Sequence, residues 1–319
     1  MIAKIRLIAP ALAFALLASF SAAGAETGAA ARTDHCGPDA LGVSRTIAIG
    51  GSPHIGLKTY PQTLDLKDHE VVLTFDDGPA ATTPRVLDAL AAQCAKATFF
   101  LIGRNAAGMP GLVRREIAEG HTVGSHSNSH PNLRNLPLEK ALADIDAGVA
   151  AVDKASGGKD SKFFRFPGFV DSPALLAALD KKGMPVFGAD LWASDWNVMT
   201  PQEELDLLMG RLRRSGGGIV LLHDIHKQTA DMIPALLAAL KAEGFHLVHI
   251  VPGDSAPALR QAPAGWTSET EAITQKMGVK GPRRREKAAP PPKAAAPEGQ
   301  TQKGDAPVQE PKGSPAPTI

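Results

Sequence analysis

Carboxylates, imidazoles and one guanidinium stand where the apolar runs of this sequence stop. Asp76 and Asp77 end the run Val71-Val72-Leu73-Thr74-Phe75 and are followed by Gly78-Pro79. Asp before Gly-Pro is also ordinary turn chemistry, so the pair gains meaning only from its company. That company is His126 and His130 after residues 121–125, Arg165 within 163–167, Asp195 after 185–190, and His223 at the end of 218–223. His126 and His130 are four positions apart, a spacing that one helical turn brings to the same side. A carboxylate from Asp76 or Asp77 would complete a two-nitrogen, one-oxygen set. Three protein ligands with an open position are what a catalytic zinc uses to bind water and lower its pKa. A structural zinc more often has four ligands including Cys, and the two cysteines, Cys36 and Cys94, lie outside the cluster.

A hydrolase needs a base for the attacking water and an acid for the leaving group. Successive strand side chains alternate, so one of the two adjacent aspartates is expected to take the metal and the other the proton. His223 is the candidate acid because it titrates near neutral pH. Asp195 would hold it protonated, and Arg165 would keep the free carboxylate ionised. Each of these also reads as a half-buried strand histidine or a structural ion pair, but together they describe a site. His121, His226, His246 and His249 fall outside the pattern and read as ordinary, with Asp224 an ordinary strand-end or loop carboxylate. Trp192, Trp196 and Leu221 would form an apolar wall, suited to a sugar ring or to a core.

The elements that must position these residues follow from periodicity. Strand-like runs occur at 71–76, 97–103, 121–125, 163–167, 185–190, 218–223 and 246–251. Helical patterns lie between them at 82–93, 110–119, 138–155, 172–182, 201–214 and 229–243. Thr200-Pro201-Gln202-Glu203 and Ser172-Pro173 carry helix-start signals, and Gly120, Gly183, Gly216 and Gly244 stand where helices should stop. Strands alternating with helices predict parallel β/α units, in an open doubly wound sheet or a barrel. In either, the C-terminal strand ends share one face, where such folds carry their sites.

Of the 319 residues, both ends fall outside this pattern. Residues 1–25 begin with Lys4 and Arg6, continue apolar from Leu7 to Phe20 and end in Ala23-Gly24-Ala25, as a cleaved secretory signal does. A membrane anchor is the rival reading, but the apolar stretch is short against the roughly 20 residues of a spanning helix. A periplasmic or secreted protein is therefore expected, with no integral membrane segment after cleavage. In that setting Cys36 and Cys94 are expected to form one disulfide, the alternative being a buried thiol at 94. Residues 26–69 read as an N-terminal arm, 256–279 as a C-terminal extension, and 280–319, rich in Pro, Ala and Lys, as a disordered tail. The Arg283-Arg284-Arg285 cluster reads as a solvated charge run or as a contact for an anionic cell-envelope polymer. A net charge of +1 argues against a dedicated nucleic-acid binder.

Thr74-Phe75-Asp76-Asp77-Gly78-Pro79, His126-Ser127-x-x-His130, Arg165-x-Pro167, Asp195-Trp196 and Leu221-x-His223 occur in that order. Together they resemble the polysaccharide deacetylase family, carbohydrate esterases that include the nodulation-type chitooligosaccharide deacetylases. The resemblance implies an α/β fold, a distorted (β/α)7 barrel over 70–255, and metal-dependent removal of N-acetyl groups from amino-sugar polymers. It makes Asp76 the base and Asp77, His126 and His130 the ligands of zinc or another divalent ion. Arg165 would support the base, and Asp195 would orient His223, the general acid. Pro167, Gly168, Phe169, Trp196 and Leu221 would line the substrate groove. One departure stands out: the family usually has Tyr after Arg-x-Pro, where this chain has Gly168 followed by Phe169. A backbone donor for the oxyanion survives that change, whereas the ring does not unless Phe169 replaces it. The expected function is N-deacetylation of chitin-like oligomers, peptidoglycan or an exopolysaccharide. O-deacetylation of a polymer such as xylan, and carbohydrate binding without turnover, are the alternatives.

Overall fold

The computed structural model describes residues 37 and 39–276, apart from residue 161. The expected signal segment 1–25, Cys36 and the tail 280–319 with its arginine cluster lie outside the described residues. Cys94 stands in a disulfide.

In chain order the strands and helices begin with β1 (Arg45–Ile49), β2 (His54–Ile55), β3 (Gln62–Leu64) and β4 (Glu70–Asp76). Then come α1 (Thr83–Ala92), β5 (Thr98–Leu101), α2 (Gly103–Gly108), α3 (Pro110–Ala118), β6 (Thr122–Ser125) and α4 (Leu138–Ser156). They continue with α5 (Pro173–Lys181), β7 (Val186–Phe187), β8 (Leu191–Trp192), α6 (Pro201–Ser215) and β9 (Gly217–His223). The described part ends with α7 (Lys227–Ala242), β10 (His246–Pro252), β11 (Leu259–Gln261) and α8 (Glu269–Lys276).

The central strand is β4, buried at every position. Along one edge it pairs in parallel with β9 from Glu70–Gly217 to Asp76–His223. Along the other it meets β10 at Glu70 and Val71, then β5 from Thr74 to Asp76. The parallel sheet continues from β5 to β6, through single bridges from Ser125 to Phe164 and from Phe164 to Val186, and β8 returns to β9. This circuit is the distorted barrel that the resemblance implied.

Two strand expectations need correction. Residues 163–167 contribute one bridging residue, and 185–190 shortens to β7, with β8 following as a separate strand. The carbonyls that would extend these ladders are engaged elsewhere. Arg165 O accepts from the His126 ring, and Gly188 O accepts from the Arg165 guanidinium. The segment before β4 contributes three strands. β1 pairs with β10, β2 with β7, and β3 runs antiparallel to β11.

Alternation along β4 decides what faces where. Val71, Leu73 and Phe75 pack outward among Leu87 and Leu90 of α1, Leu208 and Leu212 of α6 and Leu236 of α7. Val72 packs inward with Phe100, Phe163, Phe187 and Ile219. Each such side chain contributes about 1.5–3 kcal/mol on full burial, which anchors the strand that ends in the aspartates. Thr74 and Asp76 share the inward parity of Val72, so the same alternation aims a hydroxyl and a carboxylate into the barrel. Local signals fix the helices: Thr200 and Glu203 form a capping box on α6, and Ser172 caps α5. Among the described residues, no helix is long and apolar enough to cross a membrane.

Candidate active site

The strand-end residues converge on a single cleft of about 610 Å³, lined by Asp76, Asp77, His126, His130, Pro167, Gly168, Phe169, Trp196, Leu221 and His223. Asp76 ends β4, with its Oδ1 accepting from Arg165 Nη1 at 2.7 Å and its Oδ2 3.8 Å from His126 Nε2. Arg165 is wholly buried. Its guanidinium also donates to Thr74 Oγ1 and Gly188 O, both at 2.8 Å, and lies over the Phe100 ring at 4.2 Å. Burial raises the Asp76 pKa against the opposing pull of Arg165 and His223.

Asp77 is not on the opposite face from Asp76, as strict alternation predicted. It lies one residue beyond the strand with φ of +73°, and this left-handed turn swings its carboxylate back toward the same histidines. Asn105 Nδ2 holds the turn by donating to Asp77 O at 2.8 Å. Asp77 Oδ1 lies 3.6 Å from His126 Nε2 and 3.3 Å from His130 Nε2. Ligand atoms of the three residues all lie within 4.8 Å of one another.

The two histidines meet without a helix, which corrects the helical-turn expectation. His126 follows β6 directly, and Ser127 and His130 both take positive φ, folding 126–130 into a tight loop. The loop is held from behind by α4. Asp144 accepts from the backbone N–H of Asn128 and Ser129 at 3.0 and 3.3 Å and from Ser129 Oγ at 2.6 Å. Gly148 lets the loop touch the helix, since a Cβ there would lie 2.4 Å from the Ser127 carbonyl carbon.

Three observations fit this triad to a metal. Asp77 Oδ1 is buried with no hydrogen-bond partner. The His126 ring is engaged through Nδ1 with Arg165 O at 2.8 Å, which leaves Nε2 toward Asp77. Burial also lowers the His126 pKa to about 3, so the ring is neutral and able to ligate.

On the other side of the cleft, His223 Nδ1 is 2.8 Å from Asp195 Oδ1, while Asp195 Oδ2 accepts from the His223 backbone N–H at 2.6 Å. Burial alone would depress the imidazole pKa, but Asp195, with Asp76 and Asp77 nearby, raises it to about 9. Asp195 is itself fully buried and accepts from Thr229 Oγ1 at 3.1 Å. Trp196, half-exposed, stands edge-on to the His223 ring at 6.1 Å, and Phe169 stacks on Trp192 at 6.4 Å. Gly168 and Phe169 both have φ of +59° in the turn Pro167–Phe169, which makes room for the Phe169 ring over Arg165.

A matching model describes residues 63–187 as polysaccharide deacetylase. The chain is 33% identical over 200 residues to a peptidoglycan-N-acetylglucosamine deacetylase of Bacillus cereus, covering 59% of this chain and 72% of that protein. This chain belongs to the polysaccharide deacetylase family. It is also 36% identical over 186 residues to a peptidoglycan-N-acetylglucosamine deacetylase of Listeria monocytogenes, covering 56% of this chain. It spans only 38% of that longer relative. Among solved structures, a peptidoglycan deacetylase of Bdellovibrio bacteriovorus superposes with a TM-score of 0.57 at 31% identity, covering 65% of this chain and 60% of that one.

Several residues that shape this family site gave no signal in the sequence. Asn105, Asp144 and Gly148 act on the site through backbone, and α8 reaches the cleft with Thr270, Ile273 and Thr274. Asp224, read as an ordinary carboxylate, is fully buried behind the aspartate turn. Thr83 Oγ1 donates to its Oδ2, its Oδ1 has no partner, and a Cβ on Gly78 would lie 2.5 Å from both oxygens. Burial raises its pKa to about 7, above the ordinary carboxylate value near 3.9.

A raised carboxyl pKa means that the folded state favours the proton. Its destabilising effect is absent below about pH 4 and grows to the order of 4 kcal/mol once pH exceeds 7. Asp224→Asn is therefore expected to gain in Tm relative to the wild type as pH rises from 5 to 8. The constant cost of the amide cancels in that comparison, which thermal melts at several pH values measure.

Proposed function

We propose that this protein is an exported, metal-dependent deacetylase that removes N-acetyl groups from N-acetylglucosamine-containing glycan, with peptidoglycan the leading substrate. One observation carries the reading. A hydrogen-bonded Asp76–Arg165 pair, a hydrogen-bonded His223–Asp195 pair and the Asp77–His126–His130 triad all face one cleft. A protein that only bound carbohydrate would have no use for a buried base opposite a protonated imidazole. The names of the relatives support N-acetylglucosamine as the sugar, and the leader-like segment 1–25 supports export.

In this reading Asp77, His126 and His130 hold a divalent ion, for which the two-nitrogen, one-oxygen donor set suits zinc. Such an ion supplies Lewis acidity toward the amide carbonyl and lowers the pKa of water. Asp76 takes the proton from the water that attacks the acetamide carbon. Its pKa, raised by burial, brings it closer to a working base than a solvated aspartate would be, while Arg165 keeps it ionised. His223, held protonated by Asp195, gives its proton to the departing amine nitrogen, and acetate and a free amine result. The Gly168 backbone N–H is the expected donor to the developing oxyanion. Phe169, Trp196 and Leu221 offer apolar faces to the sugar rings, with Phe169 replacing the tyrosine ring absent from position 168.

The test is acetate release from N-acetylglucosamine oligomers, peptidoglycan and acetylated xylan. Chelation is expected to lower release at least about 100-fold, as loss of the ion removes the Lewis acid, and added zinc is expected to restore it. Release that survives complete metal removal would sink the mechanism. Release from xylan alone would make this an O-deacetylase, and binding without release from any glycan would make it a lectin-like protein. Export is tested by the N-terminal mass of the protein recovered from the cell envelope, expected to begin just after Ala25.

A further inference from the structure

The helix α8 belongs to none of the β/α units, yet it forms part of the cleft wall. Thr270, Ile273 and Thr274 line the same space as the triad. The helix is tied to the barrel at several points. Glu269 pairs with Lys58 at 2.5 Å, and the Lys58 ammonium lies 5.2 Å from the centre of the Trp192 ring. Glu271 pairs with Arg134 at 2.8 Å, and Arg134 is nearly buried and also donates to Asp171 O. Between these ties, Thr270 N–H and Oγ1 both donate to Lys58 O at 3.0 Å. Just before the helix, Trp266 Nε1 donates to Leu57 O at 2.7 Å. α8 is thus fastened both on the Trp192 side of the cleft and on the Arg134 side.

A second observation concerns what the helix presents. Among the described residues, the large apolar side chains left exposed are Leu138, Trp196, Val198 and Ile273. Two of these, Trp196 and Ile273, line the cleft. Ile273 is 42% exposed, although Thr270 and Thr274 on either side of it are buried. An isoleucine held open on a firmly tied helix, facing a cleft with aromatic walls, suits contact with the apolar face of a sugar ring.

We propose that α8 is a built-in stop across one end of the glycan groove. Sugars extend from the reacting residue in one direction only, and Ile273 packs against the terminal unit. The inference rests on the reading of this cleft as a glycan site, and it deepens that reading toward chain-terminal or short glycans. A trough open at both ends would gain affinity with each added sugar, whereas a stopped trough ceases to gain after the first few.

The experiment measures binding of the N-acetylglucosamine dimer and hexamer by calorimetry, with chelator present so that neither is consumed. In the wild type the two are expected to bind with similar affinity. In Glu269→Ala/Glu271→Ala, which cuts both ion pairs, the hexamer is expected to gain about tenfold over the dimer. Amide exchange over 268–276 checks that the helix has loosened, and adding Thr270→Ala, which removes a further bond to Lys58 O, replaces the double variant where it has not. Ile273→Ala should act oppositely, weakening the dimer about threefold through loss of a packing contact. A hexamer-to-dimer ratio that stays the same when the helix is loosened overturns the proposal. Failure of the wild type to release acetate, with the length effect on binding intact, would overturn only the enzymatic reading.

Discussion

Asp76→Asn is expected to lower kcat for acetate release by about 10³-fold while leaving KM nearly unchanged. The amide keeps the shape of the carboxylate, and its oxygen can still accept from Arg165 Nη1, which stands at 2.7 Å. What it loses is the ability to take a proton from water. The buried guanidinium does not become an orphan, because Thr74 Oγ1 and Gly188 O remain within 2.8 Å. Steady-state kinetics on N-acetylglucosamine oligomers, with zinc binding measured alongside, separates this loss from damage to the metal site. A variant that keeps more than about a tenth of the wild-type kcat would remove Asp76 from the role of base.

Arg165→Met is expected to have the larger effect on stability. It leaves Asp76 buried without its cation, a situation that costs about 3–5 kcal/mol. For a domain of this size that lowers Tm by about 10 °C. The pH dependence has a definite sign. Burial already raises the Asp76 pKa, and loss of Arg165 removes the opposing pull, so the pKa rises further. The folded state then favours the proton, so the destabilisation is smaller at pH 5 than at pH 8. The acid limb of the rate profile should move to higher pH for the same reason. Adding Asp76→Asn to Arg165→Met removes the stranded carboxylate and should recover most of the stability without recovering activity. Equal Tm losses at pH 5 and pH 8 would show that Arg165 acts through packing alone.

That these residues meet in one cleft was legible because parallel β/α units bring strand ends to one face. Asp76, His223 and the histidine pair needed only that rule and the strand periodicity. How the groups turn toward one another was not legible. Asp77, Ser127 and His130 adopt left-handed backbone, which no residue type there announces as Gly would. The support given by Asp144 and Gly148 depends on α4 crossing behind the loop, a tertiary fact without a periodic trace. Residues 163–167 and 185–190 looked like full strands because they are apolar, but their carbonyls serve His126 and Arg165 as well as the ladder. α8 was hidden for a different reason. Its residues are mostly polar, and tertiary ties, those to Lys58 and Arg134 among them, bring it to the cleft.

Asp224 bears on how portable this site is. The glycine after the two aspartates leaves a space that this carboxylate fills from the far end of β9, with Thr83 bonded to it. The aspartate turn thus has a back wall supplied by a distant part of the chain. Grafting the six-residue stretch from Thr74 to Pro79 onto another parallel barrel would carry both aspartates but leave the turn unsupported. A designer moving this chemistry would have to transplant Thr83 and Asp224 with it, or fill the same volume by other means.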